Sequence, residues 1–162
     1  MLMLATLTLL LALDTQQAAA QGAAPGTFIS KEDHEAVLKE QIAKGVVDQP
    51  IRIVDAHGGR ASVAMLHRVK PESSSLIHNT VTETYYIVSG SGTLVTGGRL
   101  VDPKPIDLTR LNVGLGQSGA REGGESRRVK PGDIIVIPAG TPHGFSALDG
   151  PISYLVFRFE PR

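Results

Sequence analysis

Six short apolar or β-branched runs fill much of the chain beyond Pro50, and clusters of Gly, Pro, Asn and Ser separate them. The runs cover residues 51–55, 61–67, 83–88, 93–96, 134–137 and 152–159. Runs of this length between turn residues are typical of β-strands, and a series of them is typical of a sandwich or barrel. A chain of 162 residues also suits a single domain. The sequence therefore predicts one all-β domain.

One short helix is expected before the strands. Ser30 followed by Asp33 resembles a capping box, and Gly45 is a natural C-terminal stop. Between these signals, over about residues 31–44, Leu38 and Ile42 share one helical face.

Two segments fall outside the β-pattern. Residues 1–20 combine an uncharged apolar core with an Ala-rich site before Gln21, which is the pattern of a signal peptide removed on export. We therefore expect a secreted or periplasmic protein, in which residues 21–49 form a linker and the helix and residues 50–162 form the barrel. Residues 97–131 carry seven glycines and are predicted to be a long irregular excursion from the barrel.

Composition restricts the partners and the kinds of site. The 16 basic residues balance the 16 acidic ones, so we expect neither a nucleic-acid partner nor, after signal removal, a membrane partner. The excursion carries seven basic and four acidic residues, which fits a solvated loop or, alternatively, a rim that steers anions. Because the chain has no Cys, any metal must be held by His and carboxylate groups.

Two groups of residues stand out by their spacing. The first lies in SLIHNTVTETYYIVSGSG and contains His78, Glu83 and Gly90. The second lies in PGDIIVIPAGTPHGF and contains Gly132, Pro138, Gly140 and His143. Both groups lie on or beside segments with a β-pattern, as residues at a barrel mouth would.

These two groups resemble the two motifs of the cupin superfamily, G-x5-H-x-H-x3,4-E-x6-G and G-x5-P-x-G-x2-H-x3-N. The likeness covers residues 50–159 and implies a double-stranded β-helix, a small jelly-roll barrel with one metal ion inside its mouth. Carried over by position, the metal ligands are His78, Glu83 and His143.

The chain departs from the family motifs at two positions. Leu76 stands where the first His of motif one is usual, and Ala147 stands where motif two often ends on Asn. The implied ligand set is therefore two imidazoles and one carboxylate, which suits Fe(II) and also accommodates Mn, Ni or Zn.

The residues by themselves are compatible with this site. His78 ends one predicted strand and Glu83 begins the next, so their side chains can meet across the strands. Pro138 closes an apolar strand, and the rigid bend at Gly140 delivers His143 with little freedom left to lose. The alternative is that the first two are a hairpin's polar pair and that the last is a turn histidine bonded to backbone.

The remaining histidines are weaker candidates. His67 lies in an apolar run and could enter the barrel as a third imidazole, or could be a satisfied polar residue near a strand end. His34 is expected on the solvated side of the helix and His57 in a turn, so neither is favoured as a ligand.

Two further residues face the predicted interior. Tyr85 shares the face of Glu83, where it either lines the cavity or packs in the core. Arg158 lies in a strand that is apolar on both faces, so its buried guanidinium needs an anion. A structural ion pair is the favoured interpretation of Arg158, and an anchor for a substrate carboxylate is the alternative.

These patterns favour an exported single-domain cupin that holds one divalent metal. Its function would be that of a metal-dependent enzyme on a small organic molecule, of the dioxygenase or isomerase type. The alternatives are a non-catalytic small-molecule-binding module and a metal-free structural barrel, because one fold hosts many functions. The expected partner is a small-molecule substrate or ligand, and a homodimer is left open.

Overall fold

The computed structural model describes residues 25–111 and 113–162. The predicted signal peptide, residues 1–20, lies outside them. The elements in chain order are α1 (Lys31–Lys44), β1 (Asp48–Ala56), β2 (Gly59–Arg68), β3 (Ser75–His78), β4 (Thr82–Ser89), β5 (Gly92–Thr96), β6 (Arg99–Asp107), a 3-10 turn (Thr109–Leu111), β7 (Leu115–Glu122), β8 (Glu125–Val129), β9 (Ile134–Ile137), β10 (His143–Leu148) and β11 (Ile152–Pro161).

The strands form two antiparallel sheets, which confirms the predicted all-β jelly-roll class with one short helix. The first sheet has five strands in the order β1-β2-β11-β4-β9, and the second has six in the order β6-β7-β3-β10-β5-β8. Their inner faces enclose one core, to which the first sheet contributes Tyr85, Ile87 and Tyr154 and the second contributes Leu94 and Phe145. This two-layer packing is how β-sheets bury their apolar faces.

Side-chain alternation along β4 is as predicted. Glu83, Tyr85 and Ile87 point into the barrel and are almost completely buried, while Tyr86 between them is 40% exposed. This period of two puts a carboxylate on the same face as the apolar core.

The predicted helix is present, and the face that Leu38 and Ile42 share is not the one that it buries. Ser30 and Asp33 form the capping box, and Gly45 ends the helix in the left-handed region at φ 64°. The buried residue of the helix is Gln41, whereas Ile42 is 56% exposed and Leu38 is half-buried. The side-chain amide of Gln41 donates to the carbonyl of Met65 at 2.8 Å. A polar anchor to the backbone of β2 therefore orients the helix instead of an apolar stripe.

The prediction that residues 97–131 form an irregular excursion was wrong, because β6, β7 and β8 lie within them and belong to the six-stranded sheet. Their glycines reflect close backbone packing. A Cβ on Gly116 would lie 2.2 Å from the carbonyl oxygen of Ile77, and one on Gly119 would lie 2.8 Å from that of Val101. Glycine can occupy a strand where a second backbone approaches this closely, so it is not only a turn residue.

Among the residues that the structure describes, no helix has the length and apolar character that crossing a bilayer requires.

Candidate metal centre

The structure brings His78, Glu83 and His143 together at one end of the barrel. His78 is the last residue of β3, Glu83 is the second residue of β4, and His143 is the first residue of β10. All three are buried. Glu83 Oε2 lies 3.6 Å from His78 Nε2 and 3.3 Å from His143 Nε2. The six-stranded sheet thus supplies the imidazoles and the five-stranded sheet supplies the carboxylate.

A backbone hydrogen bond orients the His143 ring. Its Nδ1 lies 2.9 Å from the carbonyl oxygen of Thr141, and a carbonyl can only accept, so Nδ1 carries the proton. In the neutral ring Nε2 then has a free lone pair directed toward the carboxylate. A metal-binding histidine is commonly held in this way.

The two oxygens of Glu83 have different neighbours. Arg158 Nε donates to Oε1 at 2.8 Å, and the hydroxyl of Tyr85 donates to Oε2 at 3.0 Å. Only Oε2 lies between the histidines, so the guanidinium orients the carboxylate to present a single oxygen to them.

Arg158 forms a buried ion pair, as its favoured interpretation predicted. Its Nη2 lies 2.5 Å from Asp48 Oδ2, and its Nη1 lies 3.2 Å from Oδ1 of the same carboxylate. This two-point contact, together with the bond to Glu83, leaves the guanidinium surrounded by protein acceptors.

The surroundings shift the pKa values of the three site residues in different directions. Burial acts to raise the pKa of Glu83, but the contact with His143 and the charge of Arg158 outweigh it and hold the pKa well below its usual value. For His143, burial acts to lower the pKa, but Glu83 outweighs it and raises the value. Burial lowers the pKa of His78 to about 4 despite the charge of Glu83. The site therefore contains an ionised carboxylate beside a neutral His78 imidazole.

The space beside these groups is small. The cavity has a volume of about 30 Å³, and Leu76, Leu108 and Val113 supply apolar walls. One water occupies about 30 Å³ in the liquid, so the cavity holds an ion or a water but no organic molecule. Leu108 and Val113 flank the 3-10 turn, so the segment predicted as an excursion covers the site.

The donor set fits a divalent metal. Two donors about 2.1 Å from one ion in tetrahedral geometry are about 3.4 Å apart, close to the separations between Glu83 Oε2 and the two Nε2 atoms. In addition, His78 Nδ1 is buried with no hydrogen-bond partner among the described residues. The nitrogen of this ring that faces Glu83 is Nε2, so the orphaned Nδ1 is a separate feature that an ion beside Glu83 would not satisfy.

The other histidines lie outside the cluster. His67 Nδ1 is 2.9 Å from Ser153 Oγ, and the residue alternates with Leu66 and Arg68, which line the cavity. It therefore points to the outer face of the sheet, and the hypothesis that it replaces the missing imidazole was wrong. His34 and His57 are likewise absent from the cluster of ligand-type side chains found in the described residues.

Sequence reasoning missed three ionisable residues of the cavity wall, Asp48, Arg68 and Glu72. The buried Arg158 signalled that an acid must pair with it. That acid is 110 residues away, in the segment predicted to be linker and helix, so no local pattern could select it. Arg68 directly follows the predicted strand 61–67, but its partners, Tyr154 and Glu72, are also set by the fold.

Comparison with known proteins yields a partial family match and distant structural likenesses. The AraC-like ligand-binding domain family matches residues 115–162. No curated protein matches the sequence.

Among solved structures, the chain is similar to a protein from Bacillus halodurans, with 18% identity over 85% of this chain and 84% of that one, at a TM-score of 0.49. A cupin superfamily protein from Desulfitobacterium hafniense has 16% identity over 70% and 76%, at a TM-score of 0.43. The DMSP lyase DddQ from Ruegeria pomeroyi has 20% identity over 62% of this chain, at a TM-score of 0.40. The chain spans only 38% of that lyase. These likenesses carry no argument about function.

The architecture and the motifs are more informative than any single relative. Two antiparallel sheets enclose the core, and both motif histidines meet the motif glutamate at one end of the barrel. Together with the partial family match, these features agree with the resemblance of the sequence to the cupin superfamily.

Proposed function

We propose that the protein is a metal-dependent enzyme that acts on a small organic molecule and holds one divalent ion through His78, Glu83 and His143. The observation that carries the proposal is the buried cluster of two imidazoles and one carboxylate, with a single carboxylate oxygen directed between the rings. Such a set suits Fe(II), Mn, Ni or Zn. When bound, the ion would supply Lewis-acid polarisation of an oxygen ligand or, as Fe(II), redox chemistry toward O₂.

The charges around the cavity favour a cation. Three acids line it, Asp48, Glu72 and Glu83, against two permanent cations, Arg68 and Arg158. With both histidines neutral the wall carries one net negative charge, which in a buried site attracts a divalent ion. A divalent ion would neutralise that negative charge and leave the site with one net positive charge, which suits a monoanionic ligand.

Other side chains of the cavity would prepare the site for chemistry. The Tyr85 hydroxyl donates a hydrogen bond to Glu83. Burial raises the pKa of Tyr85 well above its usual value, so this hydroxyl stays a neutral donor. Leu76 puts an apolar wall where the family usually has a fourth ligand, which would exclude water and leave one more coordination position open to a substrate than the four-ligand set leaves.

A small-molecule-binding module is the second candidate, and the partial match to the AraC-like ligand-binding domain favours it. A binder would bind a ligand without turning it over, and its affinity could survive loss of the metal. Apo-protein reconstituted separately with Fe(II), Mn(II), Ni(II) and Zn(II) would be assayed for O₂ consumption and product masses against enols, catechols and keto-acids. Turnover dependent on one metal and on Glu83 supports the enzyme, whereas metal-independent binding without product supports the module.

The metal site itself is tested by elemental analysis of protein purified without added metal. We expect about one divalent ion per chain in the wild type and loss of the ion in His143→Ala and Glu83→Gln, with the fold retained by circular dichroism. His67→Ala is the matched control, because this histidine lies on the other face of the sheet. Unaltered metal content in His143→Ala would refute the site.

The proposal extends to location and assembly. The apolar core and Ala-rich site in residues 1–20 support export with removal of this segment. The intact mass of the native protein should therefore be that of a chain whose first residue is Gln21. Detection of Met1 in mature protein would contradict export. The neutral net charge supports a function without nucleic acid.

A homodimer is also proposed. An uncharged apolar surface on the outer side of the five-stranded sheet fits a second copy of a chain with no net charge, because no like-charge repulsion opposes the contact.

A further inference from the structure

We propose that a groove beside the metal cavity is the substrate-recognition site and takes a monocarboxylate with an apolar body. The groove, here named the vestibule, has a volume of about 370 Å³ and lies between the end of β2, the turn that follows it and the segment after α1. The inference rests on the proposed function, because the vestibule would hold the substrate that reaches that metal site. Its ligand-binding role is nevertheless testable without metal.

The vestibule and the metal cavity share a wall. Arg68, Glu72 and Leu76 line both spaces, so these side chains form a partition between them. Since the metal cavity is too small for an organic molecule, a substrate must be held outside it and reach in past this partition. Leu76, at the position where the motif usually has a ligand, is the apolar part of that passage.

The vestibule combines two kinds of surface. Arg68 and Lys70 supply positive charge at the end of β2, while Val47, Val69 and Leu76 supply apolar surface. The acid in this wall, Glu72, pairs through Oε1 with Arg68 at 2.9 Å and accepts through Oε2 from the backbone N–H of Phe145 at 2.8 Å. The lining therefore keeps one net positive charge, which Lys70 supplies. A carboxylate held by the cations with an apolar body against the aliphatic side chains matches this arrangement.

Arg68 is pre-positioned for this task. Its Nε donates to the hydroxyl of Tyr154 at 2.8 Å, and its Nη2 contacts Glu72. A guanidinium has five N–H donors in a planar fork, so these contacts hold the fork still and leave other donors for a ligand. A cation fixed before binding costs less entropy to order when the anion arrives.

The experiment measures binding of benzoate and its neutral isostere benzamide to the full-length mature protein, made metal-free with a chelator, by titration calorimetry and ligand-observed NMR. We expect benzoate to bind at least tenfold more tightly than benzamide. Lys70→Glu should weaken benzoate at least fivefold, because it reverses a charge at an exposed position that the fold does not need. Lys130→Glu, the same change at an exposed site away from the vestibule, should leave binding unchanged.

For Arg68 the test uses a conservative substitution, because this side chain is partly buried. Arg68→Lys keeps the charge and removes the fork, so benzoate should bind severalfold more weakly while circular dichroism stays the same. Equal affinity of benzoate and benzamide would overturn the proposal. So would benzoate affinity in Lys70→Glu that matches Lys130→Glu.

A second measurement locates the bound probe. In Mn(II)-loaded protein, bound benzoate protons should relax faster than in metal-free protein, because the vestibule adjoins the metal cavity. Binding without this enhancement in a protein shown to hold Mn(II) would place benzoate elsewhere and overturn the proposal. If the protein holds no metal but discriminates benzoate in the metal-free assay, the vestibule stands and the proposed metal function fails.

Discussion

Arg158 holds two carboxylates in place, the buried one of Glu83 and the partly buried one of Asp48. A buried cation between two anions balances charges that the interior could not otherwise accommodate. At the residue scale, the candidate site therefore depends on a side chain that lines the cavity but is not one of the three candidate ligands. Asp48 on β1, Arg158 on β11 and Glu83 on β4 form a chain of charges across the sheet.

Removing this cation should be costly. We expect Arg158→Met to lose about 3–5 kcal/mol of unfolding free energy, because the buried carboxylate of Glu83 and the partly buried one of Asp48 lose their partner. Arg158→Lys should recover part of this loss. Urea unfolding of the metal-free proteins measures both. The control is Arg162→Ala, whose pair with Asp55 is exposed and should contribute nothing measurable. Equal midpoints for Arg158→Met and wild type would show that the ion pair does not support the fold.

The low pKa of His78 predicts acid sensitivity of the metal-free protein. The pKa is about 4 in the folded chain and about 6.5 when the residue is exposed, so the unfolded state binds the proton first as the pH falls. Stability from this residue is therefore complete above pH 6.5 and is lost between about pH 6.5 and 4, by about 3 kcal/mol.

His78→Asn should flatten the stability profile in this window relative to wild type, in denaturant titrations at several pH values. The raised pKa of His143 stabilises the folded state below pH 6.5 in both proteins. Comparing the variant with the wild type therefore cancels this opposite contribution to the pH dependence of stability. Parallel profiles for the two proteins would contradict the assigned environment of His78.

At the scale of elements, the turn after β4 shows why a glycine is required. Gly90 has φ 76°, and a Cβ there would lie 2.1 Å from the carbonyl oxygen of Pro151 and 2.8 Å from the Cα of Ile152. Two separate constraints thus act at Gly90, a left-handed backbone and a close approach of the β10–β11 turn.

The two constraints can be separated by a pair of variants. Gly132 has φ 91° but nothing within 4 Å of its Cβ position, so Gly132→Ala should cost about 1–2 kcal/mol from backbone strain alone. Gly90→Ala should cost about 1–3 kcal/mol more, because it adds the clash. Thermal or urea unfolding of both variants measures the difference, and equal losses would mean that the turn relaxes without penalty.

Amide exchange distinguishes a strand from an excursion within residues 97–131. β7 pairs with β3 on one side and β6 on the other, whereas β9 pairs with β4 and lies at the edge of its sheet. We expect the amides of residues 116–118 to exchange at least as slowly as those of β9 in hydrogen–deuterium exchange. Exchange at the rate of unstructured peptide would restore the interpretation as an irregular segment.

At the scale of the whole molecule, the outer face of the five-stranded sheet exposes apolar side chains in two adjacent rows. One row is Phe157–Thr84–Val136 and the other is Leu155–Tyr86–Ile134. Phe157 is 45% exposed, Tyr86 40%, Val136 63% and Ile134 66%. Neither row contains a charge. An apolar face of this kind commonly marks an interface.

This face predicts a dimer in solution. Size-exclusion chromatography with light scattering should give twice the chain mass for the wild type and one chain mass for Ile134→Asp, because a buried unpaired charge disfavours the contact. Leu115→Asp is the control, since Leu115 is 57% exposed on the other sheet and should leave the dimer intact. A monomeric wild type at high micromolar concentration would contradict the proposed assembly.

Local patterns were sufficient for much of the architecture. The caps at Ser30 and Gly45 bounded the helix, because capping is satisfied within a few residues. Alternation placed Glu83 and Tyr85 on the inner face, because side chains alternate in any strand. The spacing of the two motifs singled out the residues of the candidate site, which the structure then brings within 4.8 Å of one another.

Only the tertiary structure decided where glycine marks a strand and which distant groups meet. Gly116 lies in a strand because the backbone of Ile77 passes beside it, a condition that the neighbours of Gly116 in sequence do not encode. Asp48 meets Arg158 across 110 residues, and Leu76 separates the metal cavity from the vestibule only because β3 lies beside β10. Sequence alone determines the periods and caps, since these are properties of neighbouring residues. Charge pairing, cavity size and strand order depend on packing between segments far apart in the chain, so they emerge only in the folded molecule.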